Sequence, residues 1–401
     1  TGLDMTHPDL AGQTVSAGYV WQFGTENGRT VGRLRPATAT PGLVQQLDLI
    51  GHGTHVAGVI AGNPNGEGIT GVAPGARVIP INLAAALTES TKMSRFATAF
   101  TAAIDAAIRD GARVINVSLG GAELELPWQA LPRSEQERTT IAASRRICAA
   151  IERARMAGVI TVVAAGNSAH DGNQRSDPGV CPAAIEVGAV GPSLQRAYFS
   201  NYNSRVDLTA PGAGILSSTP ARPDTPSAPG MHGYEWLDGT SFAAPHVSGV
   251  LALIIAKHPE WNADQVISSV YSSVTDRGIE GTDPEFGRGV VDAASAVDPD
   301  HNAAGGVTAV DAFIPTLRMA TNDHGEFAFS FNPPSVHLFS GFAVTVVNRN
   351  TGSFRSYSLP GDAVSTPAIP PSSWVRLGAT TTAGRAFDAG WFATPPIAPR
   401  G

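Results

Sequence analysis

The sequence of 401 residues contains little cysteine and little lysine. Its two cysteines are Cys148 and Cys181, and its two lysines are Lys92 and Lys257, so the other basic residues are arginines. The cysteine spacing does not match the CxxC pairs of zinc sites or of thioredoxin-type sites. The two cysteines can form one disulfide bond or remain two buried thiols, and a disulfide bond would place the protein outside the cytosol.

Charge, long apolar runs and repeats are also scarce. Charged residues make up 15% of the chain, the net charge is -7, and no cluster of Lys and Arg is present, which argues against a nucleic-acid partner. No uninterrupted apolar run reaches the ~18 to 20 residues that cross a bilayer, and no internal repeat indicates an array. The apolar fraction of 42% is typical of an ordinary soluble protein, and the length suits two domains.

The middle of the chain alternates apolar strands with helices. Strands are predicted at Ala76–Leu83, Arg113–Gly120, Gly158–Asn167 and Ala183–Val190. Strands that are separated by helices indicate parallel βαβ units, so we predict an α/β fold with a mainly parallel sheet flanked by helices. Working residues of such sheets collect at the carboxyl ends of the strands, here Ser118–Gly121 and Ala164–Asn167.

Two helices are predicted between these strands. The first carries an apolar residue at every fourth position from Phe96 to Ile108, with Ser94 as its N-cap and Gly111 as its C-terminal stop. The second runs through Cys148 to Met156. Since Cys148 lies on this helix and Cys181 in the loop after the next strand, both cysteines flank one crossover, and we predict that they are bonded.

The composition changes near Asp298. We predict a catalytic α/β domain at residues 1–298, a linker at 299–306 and a small all-β domain at 307–401. The last region shows apolar side chains at alternate positions in "EFAFSF" and "FAVTVV", with Pro and Gly between the runs. Trp374 and Trp391 can form a binding surface there or close the core of a small sandwich. With no cluster of chemically reactive residues, this domain is predicted to be accessory.

The stretch "GHGTHVAGVIAG" begins at Gly51 and places His52 between two glycines. An apolar helical run follows at once, so His52 would lie exposed at the start of a helix, where the backbone leaves room for a ligand. A lone histidine in that position is more often a capping or surface residue.

The stretch "GTSFAAPHVSGVLALIIAKH" begins at Gly239 and places Ser241 at the start of a helix. This helix is apolar on nearly every side and is therefore predicted to be buried. Pro245 lies at the edge of the first turn, where it removes at most one backbone hydrogen bond. Ser241 can be a simple N-cap, but the positive end of a buried helix also favours an anion developing at its hydroxyl.

The stretch "AAGN" ends a predicted strand at Asn167. An asparagine in this place can be an ordinary turn residue. It can also donate a side-chain N–H to an oxyanion.

Together these motifs resemble the subtilisin-like serine proteases, the subtilase family. "GHGTHVAG" is similar to the family's histidine motif, "GTSFAAPHVSG" to its serine motif and "VVAAGN" to its oxyanion motif, in the family's order. The resemblance runs from Thr1 to about Val297 and implies the three-layer subtilisin-like fold. It further implies a serine endopeptidase that acts on polypeptides, with Ser241 as nucleophile, His52 as general base and Asn167 in the oxyanion hole.

The residue that matches the catalytic aspartate of the family is not among the residues of this sequence. The family's first motif is an apolar strand ending in Asp, followed by Thr-Gly or Ser-Gly, and Thr1-Gly2 resembles its second half. The resemblance thus places this Asp just before Thr1. It aligns Asp4 with a non-catalytic position, and nothing places Asp48 on the correct side of the His52 ring.

Three explanations for the aspartate stay open. The missing residues can belong to the protein but not to this sequence. A propeptide or a separate N-terminal fragment can remain docked and supply the Asp. Alternatively, the protein is a natural or engineered inactive form.

The resemblance also implies substrate and calcium sites. A substrate strand would pair with Ser118, Leu119, Gly120 and Gly121, and Ala164, Ala165 and Gly166 would form the opposite wall of the pocket. Asp9 matches a ligand of a structural Ca²⁺. In the loop "NPNGEGI", Asn65 would offer its side chain and Asn63, Glu67 and Ile69 their carbonyl oxygens.

Two rival functions differ from peptide hydrolysis. One is a pseudoprotease that only binds, although the presence of His52, Ser241 and Asn167 argues against it. The other is an acyl transferase or esterase that uses the same residues. The resemblance and the cysteines favour a secreted or periplasmic protein, which we expect to be a monomer with no nucleic-acid or membrane partner.

Overall fold

The structure of the protein is a computed structural model in which part of the chain is described. The described residues are 1–37, 48, 50–87, 93–120, 135–171, 173, 178–220, 233–297, 318–321, 327–330, 339–348, 354–360, 365–370, 373–381 and 386–393. The chain divides into two compact units. The first comprises Thr1–Ala263 with Thr275–Val291, and the second comprises Asp264–Val274 with Asp292–Gly401. The predicted boundary near Asp298 and the predicted linker lie outside the described residues and stay predictions.

The first unit has nine strands and most of the helices among its described residues, and β5 to β9 follow one another without a described helix between them. The strands before residue 240 are β1 (Tyr19–Glu26), β2 (Arg29–Pro36), β3 (Ile81–Asn82), β4 (Val114–Val117), β5 (Ile160–Ala164), β6 (Ala184–Val190), β7 (Leu208–Pro211), β8 (Ile215–Ser218) and β9 (Tyr234–Leu237). The helices are α1 (His52–Ala61), α2 (Ala84–Leu87), α3 (Met93–Arg109), α4 (Glu135–Met156), α5 (Thr240–Lys257), α6 (Ala263–Ser272) and α7 (Ala293–Val297).

A parallel sheet in the order β4-β5-β6-β7 forms the middle of the first unit. Every residue of β5 and of β6 is buried. Strands covered on both faces need continuous apolar runs rather than alternation, which explains sequences such as "ITVVA". The prediction of an α/β fold with a mainly parallel sheet is confirmed.

Helices cover both faces of this sheet. On one face the apolar stripe of α3, which includes Phe96, Phe100 and Ile104, packs with α4 against Val117 and Val163 of the sheet. On the other face lies α5, which packs against all four strands. Among the described residues, α5 is the one helix long and apolar enough to cross a membrane, but most of it is buried inside the first unit.

Two predicted element ends are wrong in detail. The strand predicted at Ala76–Leu83 is reduced to β3, because Pro80 has no N–H to donate to a ladder and only its carbonyl pairs, with the N–H of Tyr19. Helix α3 already includes Ser94, so Ser94 is not its N-cap; its carbonyl instead accepts the hydroxyl of Thr98. Gly111 follows the helix with φ of +78° and terminates it as expected.

Cys148 and Cys181 are joined by a disulfide bond in this structure, with their Cα atoms 5.0 Å apart. The bond links α4 to the loop before β6. Cys181 is fully buried in the apolar cluster between the helices and the sheet.

Two smaller sheets complete the first unit. Strands β1 and β2 form an antiparallel hairpin whose inner strand pairs with β3, and β8 pairs with β9 in a two-stranded ribbon. The ribbon is attached to α1, because the hydroxyls of Ser217 and Ser218 donate to the carbonyls of His55 and Thr54.

The C-terminal residues form small antiparallel sheets, as the alternating pattern predicts. The strands are β10 (Arg318–Thr321), β11 (Phe327–Ser330), β12 (Phe339–Asn348), β13 (Phe354–Pro360), β14 (Ser373–Thr381) and β15 (Ala386–Ala393), in sheets β10-β11 and β13-β12-β14-β15. Phe342, Val344 and Val346 are buried while Ala343 between them is exposed. The prediction for the side chains of Trp374 and Trp391 lies outside the described part of the structure.

Candidate active site

His52 is the first residue of α1, and the glycines on either side of it have separate structural reasons. Gly51 has φ of +88°, a left-handed conformation that favours glycine. A Cβ atom at Gly53 would lie 2.0 Å from the carbonyl oxygen of Gly2, so this position has no space for a side chain. The pattern Gly-His-Gly therefore brings the start of α1 against the N-terminal segment.

Ser241 is the second residue of α5, and Gly239 is the residue at the N-cap position. The reading of Ser241 as an N-cap is therefore wrong. The first turn of a helix has backbone N–H groups without partners in the helix, and that of Ser241 is among them. Such N–H groups and the positive end of the helix are suited to bind an anion.

Asn167 is held by the residue that precedes the serine. Its Oδ1 accepts hydrogen bonds from the backbone N–H and from the hydroxyl of Thr240, both at 2.9 Å. Because an N–H can only donate, the atom that faces it must be the amide oxygen, and the NH₂ group of Asn167 is left free to donate elsewhere. Asn167 is exposed, and its nitrogen lies beside Gly239.

The ring of His52 lies beside that of Phe242, with 5.4 Å between the ring centroids. Burial, and after it the positive charge of the amino group at Thr1, lower the pKa of His52 to about 4, and the carboxylate of Asp48 acts in the opposite direction. The imidazole is therefore neutral and able to accept a proton. Within the described residues, three predicted site residues contact the first turn of α5. His52 packs on Phe242, Asn167 bonds Thr240, and the hydroxyl of Ser118 donates to the carbonyl of Ser241.

Two buried carboxylates near the site have structural roles. Asp48 accepts hydrogen bonds from Thr1 Oγ1, from Gly51 N and from the N–H and hydroxyl of Thr54, and so caps α1. Asp4 accepts the N–H and the hydroxyl of Thr6. Among the described residues, neither carboxylate is a hydrogen-bond partner of the His52 ring.

The predicted substrate segments both contact the first turn of α5, through Ser118 and Gly166. Ser118 and Leu119 are half-buried and Gly120 is exposed, whereas Gly121 lies outside the described residues. The wall at Ala164–Gly166 has little backbone left for pairing, because the N–H groups of Ala165 and Gly166 bond Val187 and Thr240. This wall can contact a side chain but cannot add a strand.

The predicted calcium ligands surround the fully buried Asp9. Its carboxylate accepts the side-chain N–H of Asn65 at 2.8 Å and the backbone N–H of Ile69 at 3.0 Å. It also bonds the hydroxyl of Tyr234, whose pKa burial and this hydrogen bond raise to about 12.

The remaining predicted ligands are close by. The backbone N–H of Asn63 donates to the carbonyl of Asp9, and that of Glu67 donates to the amide oxygen of Asn65. The described residues contain no group of three or more acidic, histidine or cysteine side chains that would hold a metal ion. The donor set of one carboxylate, one amide and carbonyl oxygens nevertheless fits the chemistry of Ca²⁺.

Three polar residues at the site escaped the sequence reading. They are Thr240, which orients Asn167, and Asn116 and Ser248, which bond each other behind the serine. The signal available for Asn116 is a polar residue inside the otherwise apolar strand "RVINVSLG".

Comparison with known proteins places this arrangement in one family. The family model of the subtilases, peptidase S8, matches residues 1–289. Subtilisin NAT of Bacillus subtilis subsp. natto is 32% identical over 74% of this chain, and the match spans 63% of the relative's length. Subtilisin of Bacillus pumilus is 31% identical over 74% of this chain and 88% of its own length.

A solved structure gives the same result. A protease structure from Pseudoalteromonas arctica is 31% identical, with a TM-score of 0.51, over 76% of this chain and 88% of that one. The family model covers more than half of the chain, and the chain therefore belongs to the subtilase family.

Proposed function

We propose that the protein is a serine endopeptidase with Ser241 as nucleophile. The observation that carries the proposal is the convergence of His52, Asn167 and Ser118 on the first turn of α5. A binding module would need neither a neutral imidazole nor a free amide N–H beside the positive end of a buried helix.

Each residue has a defined step in the mechanism. The Oγ of Ser241 attacks the peptide carbonyl while His52 takes its proton, which it later returns to the leaving amine. The NH₂ of Asn167 and the N–H of Ser241 donate to the tetrahedral oxyanion. Extended substrate would pair with the chain from Ser118 onward, with Ala164–Gly166 as the facing wall.

Full activity requires a carboxylate beside His52. A base with a pKa of about 4 is weak at neutral pH, and a neighbouring carboxylate stabilises the protonated imidazole. We infer that an aspartate at the place of the family's first motif, next to Thr1, would have this role. Loss of this aspartate in a subtilisin costs on the order of 10⁴ in kcat, so adding Asp rather than Asn before Thr1 should raise kcat by a similar factor.

A fluorophosphonate probe tests the nucleophile. It should label Ser241, and Ser241→Ala should abolish both labelling and cleavage of casein. Ser193→Ala, which alters an exposed serine, is the matched control and should change neither. Labelling at another serine would overturn the assignment. Labelling with turnover of small esters but not of casein would favour an esterase or acyl transferase, and no reaction in the Asp-extended chain would favour a pseudoprotease.

We propose that the loop around Asp9 binds a structural Ca²⁺. The ion would use the carboxylate of Asp9, the amide oxygen of Asn65 and the carbonyls of Asn63, Glu67 and Ile69, in place of the N–H donors that now satisfy Asp9. The melting temperature should rise in millimolar calcium relative to EDTA. That rise should disappear in Asp9→Asn, and an equal rise in both proteins would overturn the proposal.

We further propose that the protein works in the extracellular space or the periplasm as a monomer. The disulfide bond between Cys148 and Cys181 supports this location, because such bonds persist in oxidising compartments. Size-exclusion chromatography with light scattering checks the monomer. Two free thiols in the denatured, unreduced protein would contradict the location.

A further inference from the structure

The carbonyl group of Ser241 lacks the hydrogen bond that a helix normally gives it. In an α-helix each carbonyl accepts the N–H of the residue four positions later. Four positions after Ser241 stands Pro245, which has no backbone N–H. A buried carbonyl without a partner costs free energy comparable to a lost hydrogen bond.

The hydroxyl of Ser118 supplies the missing bond from outside the helix. Its Oγ lies 2.6 Å from the carbonyl oxygen of Ser241. A carbonyl can only accept, so Ser118 gives it the single hydroxyl proton. Ser118 Oγ must therefore act as acceptor toward Asn116 Nδ2, 2.9 Å away, which fixes the orientation of the Asn116 amide.

The amide oxygen of Asn116 returns the chain of bonds to the same helix. It lies 2.9 Å from the hydroxyl oxygen of Ser248, two turns beyond Ser241. That hydroxyl is also 3.1 Å from the carbonyl oxygen of Ala244, so the two acceptors share its one proton. Asn116 and Ser118 both reach α5 because alternate residues of a strand point to one face, whereas Val117 between them lies in the cluster on the opposite face. One end of the sheet thus clamps two turns of the helix.

We propose that Asn116 is a positioning residue for the nucleophile. Asn116 orients the hydroxyl of Ser118, and this hydroxyl donates to the Ser241 carbonyl as a substitute for the N–H that Pro245 lacks. The bond to the carbonyl then fixes the backbone angle ψ of Ser241. The direction in which the Ser241 side chain leaves the helix is fixed with it. Asn116 touches neither substrate nor reacting atoms, and the inference rests on the proposed function of Ser241.

A double-mutant cycle with Pro245→Ala tests the exchange of one donor for another. Alanine at position 245 provides the missing N–H, so the Ser241 carbonyl no longer depends on Ser118. With Pro245 present, Ser118→Ala and Asn116→Ala should each lower kcat on a small activated ester by about tenfold, with KM changed by less than about threefold. In the Pro245→Ala background, each loss should shrink to less than about threefold. Equal losses of kcat in both backgrounds would overturn the proposal.

Ser218→Ala provides the matched control. Its hydroxyl also donates to a helix carbonyl, that of Thr54 at 3.2 Å, but Gly58 four residues later keeps its N–H. Ser218→Ala should leave kcat unchanged in both backgrounds. A tenfold fall of kcat in this control would show that any lost serine hydroxyl disturbs the site, and would overturn the specific role of the bond to Ser241.

The stability of the variants separates this proposal from the proposed function. The equilibrium constant of unfolding should rise about tenfold for Ser118→Ala when Pro245 is kept, and much less in the Pro245→Ala background. If the fluorophosphonate fails to label Ser241 in the unsubstituted, Asp-extended chain, the proposed function falls. The unfolding cycle then still decides whether Ser118 replaces the missing N–H, and equal changes in both backgrounds would refute it.

Discussion

At the scale of single residues, orientation in this site comes from atoms that can play only one role. The N–H of Thr240 can only donate, so the oxygen of Asn167 must face it and the NH₂ must face away. The carbonyl of Ser241 can only accept, which determines the direction of the bond from Ser118. The site is thus specified by hydrogen-bond chemistry as much as by packing.

The first prediction concerns the free NH₂ group of Asn167. Asn167→Asp keeps an oxygen for Thr240 but removes the donor to the oxyanion. A single donor of this kind in a subtilisin is worth about 10²–10³ in kcat, and we expect a loss of that size. The melting temperature should change little, because the bond to Thr240 is kept. Steady-state kinetics and calorimetry on the same samples check both parts, and a variant with undiminished kcat would contradict the role.

The second prediction concerns the pH dependence of stability. His55 is fully buried, its Nε2 lies 3.2 Å from the carbonyl oxygens of Ile215 and Glu235, and its Nδ1 has no partner among the described residues. Burial lowers its pKa from 6.5 to about 4. Between these values the unfolded chain binds the proton and the folded chain does not, so stability falls as the pH drops from 6.5 toward 4.

The full effect of His55 over that window is about 3 kcal/mol in the free energy of unfolding. His55→Gln keeps a donor for the two carbonyls but cannot be protonated. Urea unfolding at pH 7 and at pH 4.5 should show a smaller loss in this variant than in the parent. The same loss in both proteins would mean that another group causes the acid sensitivity.

At this scale the sequence predicts His52, Ser241 and Asn167 as site residues, because each lies in a contiguous motif. It did not reach Thr240, Asn116 or Ser248. Their partners lie at the other end of long stretches of chain, 73 residues away for Thr240 and 132 for Ser248, and no local pattern records such a pairing. Only the fold brings these atoms together.

At the scale of elements, apolar patterns predicted β4, β5, β6 and α3 but not β1, β2, β7, β8 or β9, and local chemistry decided where the predicted elements end. The stripe of α3 and the alternation of β12 are buried as predicted. Strand β3 is shorter than predicted because Pro80 interrupts the ladder. The apolar pattern alone does not predict this early end of the strand, because the pattern does not record that one residue, Pro80, has no backbone N–H to donate.

The third prediction belongs to the bond between α4 and the loop before β6. Replacing Cys148 and Cys181 by alanine opens a loop of 33 residues, which gives the unfolded chain more conformational freedom. The chain-entropy model then gives a loss of about 3–4 kcal/mol in the free energy of unfolding. Guanidinium unfolding of the parent and the double variant measures this loss. Similar midpoints would show that packing in the apolar cluster, rather than the bond, stabilises the crossover.

At the scale of the whole molecule, the family model stops at residue 289, while the chain continues into small antiparallel sheets. The described part of that region has a core of its own, formed by Val344, Val346, Ile369 and Val375. Packing in an apolar core of this kind is enough to explain the pattern of aromatic and β-branched residues, with no need for a catalytic role. It is consistent with the prediction that this region is accessory.

The fourth prediction follows from that organisation. A chain that ends at Asp300 keeps every predicted site residue, and its kcat on a short peptide should stay within about tenfold of the full chain, or about 1.4 kcal/mol in the barrier. Thermal stability or activity on large proteins can fall. A larger loss on the short peptide, with an intact circular dichroism spectrum, would show that the C-terminal region helps to build the active site.

The long sequence separation of the hydrogen bonds around the first turn of α5 bears on when, during folding, the proposed protease activity could arise. Asn167 and Ser118 come from 73 and 123 residues earlier in the chain. Both residues are therefore synthesised before Ser241, but they surround it only after folding has brought these distant stretches of chain together. Under the proposed function, an unfolded copy would be a substrate but not yet a protease, so self-digestion would begin only after these long-range contacts have formed.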